Sequence, residues 1–351
     1  MVRTARTLSP GRILLVLIIQ ALFWNGPTLS ARTPRQFRIS LENAPSHVQV
    51  LAVQEFARRL RNETEGAIAA EVFPSGELFR DSDVVEALHR GALEMGVPGT
   101  WQLDRFVPDV AVFLLPEFFG RDLAVVHHHA DGPLGAAINR RLEARLPVVV
   151  PGRWFDLGHG HLFFRQGPVQ NYADLQGQVI RVAGGLANEL RIAELGAQPV
   201  TIAWGEVPRR LERGQMDGLL TTFETVRSGR LWERGVQFAL EDFQYMPQYI
   251  PLVSRRVWES FTAEEQDLFR TLWEEEVQKQ RRAAAEAQEA ARRELVRQGV
   301  RIHRVNHDEQ ERARRLLLEA QPDFVRRLGI DPALLEILQE SPRGPDRSRM
   351  P

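Results

Sequence analysis

Hydrophobic residues recur along this chain with two alternating periods. In QFRISLE (36–42), Phe37, Ile39 and Leu41 take every second position, which predicts a strand. The period then changes. In residues 47–64, Val53, Phe56, Ala57 and Leu60 share one helical face, and Gly66 ends the segment. AIAAEVF (67–73) predicts a second strand and PSG (74–76) a turn. Residues 81–91 predict a helix with Asp81 or Ser82 as N-cap and Gly91 as C-cap. LEMGV (93–97) predicts a third strand. The order β-α-β-α-β is that of a parallel or mixed sheet covered by helices.

The same rhythm returns further on. QVIRV (178–182) and QPVTI (198–202) read as strands, each followed by a helix, at 186–196 and 206–214. Pro208 falls in the first turn of the second helix, where its missing N–H costs little. Two such units predict two α/β lobes, with residues 147–164 as strands crossing between them. Thr262 and Glu265 then form a capping-box pattern, and residues 263–298 contain neither glycine nor proline. At 1.5 Å per residue that helix reaches about 54 Å, more than one lobe, so it is expected to span both. Its stripe of Leu268, Leu272, Ala284, Ala287, Ala291 and Leu295 fits one-sided packing and is too irregular for heptads. A strand at 300–304, a helix from about 308 to 328 and a helical 331–339 follow. Residues 341–351 are expected to be a disordered tail.

The N-terminus has a different character. Arg3, Arg6 and Arg12 precede the apolar ILLVLIIQALF (13–23), and Gly26, Pro27, Ser30 and Ala31 follow. This is the order of a secretory signal, and the apolar run falls short of the roughly 20 residues that span a bilayer. Residues 1–31 are therefore read as a cleaved signal peptide; the alternative is an uncleaved anchor. The chain has no cysteine. That excludes a disulfide framework, a thiolate metal site, a cysteine nucleophile and a lipidated N-terminal cysteine. An exported chain of 351 residues without disulfides points to a bacterial periplasm. A net charge of −1 gives no argument for nucleic acid.

Six fragments carry a resemblance: EVFPSGEL (71–78), EALHRGALEMGV (86–97), FLLPEFFG (113–120), DLQGQVIRV (174–182), LGAQPVTIAWGEV (195–207) and LERGQMDGLL (211–220). In this order and spacing, over about 36 to 330, the chain resembles the DctP-type solute-binding proteins of tripartite ATP-independent periplasmic (TRAP) transporters. The resemblance implies a two-lobed periplasmic-binding-protein-like α/β fold, with mixed sheets in both lobes and a long helix across them. The first lobe is expected over 35–157 plus about 241–256. The second is expected over 158–240 plus about 257–340. The implied function is a receptor that closes on a small organic anion and delivers it to integral-membrane permease subunits. No cofactor is implied. A monomer is expected, with a dimer also compatible.

Arg181 falls on the arginine that holds the ligand carboxylate in the resembled family. The chemistry supports this independently, because a guanidinium presents a planar fork to two carboxylate oxygens. Two charge-assisted hydrogen bonds of about 1.5–3 kcal/mol each would supply much of the roughly 8 kcal/mol of a micromolar complex. The alternative is an exposed ion pair. Trp204 matches a ligand-packing aromatic, or else a core tryptophan. Asn43 matches a polar contact, or else a turn residue. Thr100, Trp101 and Gln102 follow a strand's carboxyl end, where α/β proteins collect ligands. Thr221 stands near the place of a family asparagine. Gly160 stands where the family has a second arginine, with His159 or His161 as compensating candidates. These departures favour a ligand with one carboxylate.

Other signals are weaker. The run HHH (127–129) lacks ligand spacing, and the pair His159 and His161 lacks a third partner nearby. The glycines of RVAGGLANEL lack a phosphate-loop pattern, and no serine has a nucleophile-elbow setting. A sensory partner of a membrane kinase stands as the second reading, and an exported enzyme on the same scaffold as the third.

Overall fold

The structure, a computed structural model, describes residues 33–340. The expected signal segment and tail lie outside those residues. Strands run in chain order as β1 (Arg35–Ser40), β2 (Ile68–Phe73), β3 (Met95–Gly96), β4 (Val148–Val149), β5 (Phe155–Asp156), β6 (Gly160–Phe164), β7 (Val179–Val182), β8 (Gln198–Thr201), β9 (Gly218–Thr221), β10 (Phe238–Tyr245), β11 (Gln248–Tyr249), β12 (Leu252–Ser254) and β13 (Arg301–Arg304). One sheet has the order β2-β1-β3-β12-β4 and the other β13-β10-β6-β9-β7-β8. Strands β5 and β11 pair as an antiparallel ribbon. Both large sheets are mixed. In the first, β1 is parallel to β2 and β3, while β12 is antiparallel to β3 and β4. In the second, β7 is parallel to β8 and β9, while β6 is antiparallel to β9 and β10. The two lobes inferred from the repeated rhythm are built on these sheets.

Helices α1 (Val48–Glu63), α2 (Asp81–His89) and α3 (Thr100–Leu103) follow the first three strands. Helices α4 (Leu123–Ala130) and α5 (Pro133–Arg145) occupy a stretch to which the hydrophobic pattern assigns no element. Helices α6 (Leu186–Glu194), α7 (Val207–Glu212) and α8 (Phe223–Ser228) belong to the second unit. Helices α9 (Arg255–Trp258), α10 (Ala263–Arg297), α11 (His307–Leu328) and α12 (Pro332–Glu340) complete the chain. Among the described residues no helix is long and apolar enough to cross a membrane.

Two expectations are corrected. Neither Asp81 nor Ser82 caps α2. The cap position is Arg80, and Asp81 is the first helical residue. Its N–H donates to Glu42 Oε2 at 2.7 Å, so a carboxylate from the β1 loop satisfies the helix end. The stripe of α10 also differs. It runs through Phe269, Leu272, Trp273, Val277, Gln280, Ala284, Ala291 and Leu295, while Leu268 and Ala287 are only half-buried. Helix α12 packs against α5. Leu334 and Leu338 are buried there, and Arg141 of α5 holds both Asp109 and Asp331.

Strand β10 has no counterpart in the hydrophobic pattern, because FALEDFQY carries two consecutive acids. Both acids are buried with partners. Glu241 pairs with Arg292 of α10 at 3.0 Å, and Asp242 accepts from Gln244. The strand is irregular between Leu240 and Tyr245, and Phe243 has φ 53°. Such an irregularity re-aims the residues after it. Here it sets Tyr245 opposite Gly160.

Helix α10 starts from the expected capping box, with the Thr262 side chain accepting from Glu265 N–H. It packs on α1, on β5 and on α8, and so crosses both lobes. Its contacts with the crossover segment are specific. Trp273 stacks on Phe155 at 4.3 Å and 9°. Gln280 accepts from Asp156 N–H and donates to Asp156 O, and Gln288 donates to Leu157 O at 2.6 Å.

Candidate functional site

Arg181 lies on β7, whose Val179–Val182 run pairs with β8 on one side and β9 on the other. Its side chain lines a cavity of about 640 Å³ that is partly open to solvent. The residue is 3% exposed. Its Nε donates to Ile202 O at 2.9 Å, and among the described residues neither terminal nitrogen has a hydrogen bond or an ion pair. The alternative of an exposed ion pair is thereby excluded. Burial pushes the guanidinium down to about 10, with opposing contributions from Tyr245 and Glu42. It is therefore still a cation at neutral pH. A buried fork with two free donor ends can receive a planar anion.

Trp204, in the short 3₁₀ turn after β8, lies 5.9 Å from the Arg181 guanidinium and lines the same cavity. Thr221, at the end of β9, also lines it, as does Leu220. On the first-sheet side stand Asn43, Trp101 and Gln102. Asn43 Nδ2 donates to Tyr249 Oη and to Gln49 Oε1, both at 2.7 Å. Trp101 meets Tyr249 edge-on at 5.5 Å. Segments far apart in sequence thus converge on one space, six of the eight expected site residues among them.

The other two lie elsewhere. Thr100 is buried beside the site but does not line the cavity. His159 does not line it either. Its Nε2 is 2.9 Å from Arg121 O and its ring lies edge-on to Phe243. His161 accepts from Asp242 N–H and Phe243 N–H through Nδ1, so neither histidine takes the place of the absent second arginine. Burial lowers the pKa of both. The glycine between them has a local reason. A Cβ on Gly160 would stand 2.8 Å from Tyr245 Cε1, so the tyrosine ring fills the space a longer side chain would need. In the HHH run, His127 pairs with Asp156 at 2.7 Å while His129 packs on Phe118, which fits divergent directions rather than a ligand set.

Sequence reasoning missed Tyr245, Tyr249, Glu42, Asp81 and Thr225, all of which line the cavity. One signal was present: two of the three tyrosines in the chain stand four residues apart in YMPQY. Burial raises Tyr245 to about 12 and Tyr249 well above the usual range, so both stay neutral.

The glycines after Val182 serve the approach of the two lobes rather than a phosphate. Gly184 (φ +139°) and Gly185 (φ +83°) lie under α3, where added Cβ atoms would stand 3.2 Å from Trp101. Gln102 Nε2 donates to Ala183 O at 2.9 Å, and Asp104 Oδ2 accepts from Leu186 N–H at 3.0 Å. Asp104 thus caps α6, whose own cap residue Gly185 offers no side chain.

Comparison with known proteins agrees with this architecture. The model of the DctP family, bacterial extracellular solute-binding protein, family 7, matches residues 39–326. A solute-binding protein of Chromohalobacter salexigens is 24% identical over 262 residues, 75% of this chain and 77% of that one. A TRAP periplasmic solute-binding protein from Bradyrhizobium, solved in complex with D-galacturonate, is 27% identical. Its TM-score is 0.77, covering 87% of this chain and 98% of that one. A second, from Xanthobacter autotrophicus with bound β-D-galacturonate, is 25% identical with a TM-score of 0.78 over the same shares. With the family model covering most of its length, this chain belongs to the DctP family of bacterial extracellular solute-binding proteins.

Proposed function

We propose that this protein is a periplasmic receptor that closes on a small organic monocarboxylate and delivers it to a TRAP-type membrane permease. The observation that carries the reading is Arg181: a buried cation lining a cleft, with both terminal nitrogens unengaged among the described residues. Trp204 packs beside the carboxylate, Thr221 and Asn43 supply polar contacts, and Trp101 and Gln102 close the first-lobe wall. Two solved relatives at 25% and 27% identity hold galacturonate, itself a monocarboxylate, which supports the ligand class. The lobes divide at the β5–β11 ribbon, with α12 assigned to the first. Closure shifts an open–closed equilibrium because the ligand touches both lobes.

The test is thermal. A panel of monocarboxylates, galacturonate included, is expected to raise the melting temperature by mass action. Arg181→Ala should abolish the shift. A shift that survives in the variant would mean that the anchor is elsewhere.

A further inference from the structure

The charges lining the cavity are unevenly placed. Arg181 is the one cation among them, and it comes from the second sheet. Two acids line the same space from the first-sheet side: Glu42, after β1, and Asp81, at the start of α2. Asp81 is 7% exposed. Glu42 Oε2 accepts from Asp81 N–H at 2.7 Å, and Asp81 Oδ2 accepts from Gly99 N–H at 3.3 Å. Glu42 Oε1 and Asp81 Oδ1 have no hydrogen-bond partner among the described residues, and no cation there forms an ion pair with either acid. Burial, then the charge of Glu42, raises the Asp81 carboxyl well above its ordinary range, which reflects this lack of compensation. The place of a second arginine is closed at Gly160 by the Tyr245 ring.

We infer that the cavity selects a monocarboxylate whose far end donates hydrogen bonds to Glu42 and Asp81, and that it rejects dicarboxylates. The inference rests on the carboxylate-receptor reading above. A second carboxylate on the ligand would add negative charge beside two acids that already disfavour each other's ionisation, with no cation on that wall. A hydroxyl or an ammonium reverses the sign of that contact, because each donates to an oxygen that lacks a donor. The cavity then matches its ligand end to end: a cationic fork for the carboxylate and an acceptor wall for donors.

A matched four-carbon series isolates the far end: butyrate, gamma-hydroxybutyrate, gamma-aminobutyrate and succinate, with galacturonate as a larger hydroxylated probe. Calorimetry on the mature chain is expected to show at least one donor-bearing acid binding about tenfold tighter than butyrate, with succinate weakest. Preference for the amino acid identifies ammonium as the donor; preference for the hydroxy acids identifies hydroxyl. Glu42→Gln and Asp81→Asn keep an acceptor oxygen but remove the ionisable group. Each should weaken the donor-bearing ligand and improve succinate, a gain that misfolding cannot produce. Succinate binding as tightly as the donor-bearing acids, or unchanged affinities in both variants, would overturn the inference while leaving the receptor reading intact. Absence of binding by every carboxylate, galacturonate included, would remove both.

Discussion

In the proposed reading, Arg181 serves binding at the expense of stability. The guanidinium is buried, it has one hydrogen bond to Ile202 O, and among the described residues it forms no ion pair. Burial holds its pKa below the ordinary arginine value, at about 10. For a base depressed on folding, the charged form is disfavoured at every pH below about 10 and the cost is relieved only above that. The full cost therefore applies at neutral pH. Arg181→Met, of similar length and uncharged, is expected to melt at or above the temperature of the native chain in the absence of ligand. The same variant should lose the ligand-induced shift. Calorimetric melting of both proteins, with and without galacturonate, checks the two halves separately.

At the scale of elements, the contact of α3 with the start of α6 bridges the two sheets. Asp104 caps α6, Gln102 holds Ala183 O, and two glycines with positive φ let the backbones meet. Asp104→Ala removes one hydrogen bond made only when these elements touch. A loss of about 0.5–1.5 kcal/mol, several-fold in affinity, is expected with little change in ligand-free melting. Gly185→Ala should cost more, because φ +83° disfavours a Cβ and that Cβ would crowd Trp101. Titration of each variant with the best carboxylate provides the comparison.

For the whole molecule, a buried pair joins α1 to α8. His47 Nε2 lies 2.8 Å from Glu224 Oε2, and both side chains are almost wholly buried. His47 Nδ1 accepts from Gln49 N–H, which leaves Nε2, the atom nearest the carboxylate, to carry the ring proton. Burial pushes Glu224 up, but His47 and Arg227 outweigh it and leave the net value lowered. An acid depressed on folding contributes stability above the ordinary glutamate range, lost as pH falls through the depressed value. Glu224→Ala strands a buried imidazole and is expected to cost about 1–3 kcal/mol. The expected result is a more open ligand-free chain, seen as a larger radius of gyration in small-angle scattering, and weaker binding. An unchanged radius would assign the pair to packing alone.

What could be read from the residues in order was local. Alternation at Phe37, Ile39 and Leu41, the face through Val53 and Phe56, and the Thr262–Glu265 box each describe a short segment, and each element formed where its pattern lies. Arg181 was legible for the same reason, since its strand, glycine loop and flanking motif are contiguous. The rest depended on distance. Strand β10 hid behind Glu241 and Asp242 because a buried acid looks like a surface acid until its partner, here Arg292, is known. Glu42, Asp81, Tyr245 and Tyr249 come from three separate segments, and only the packing of two sheets makes them one wall. Linear order determined the elements whose pattern is local and the cation this chain offers. The tertiary structure decided what surrounds that cation, because desolvation and charge balance depend on neighbours in space.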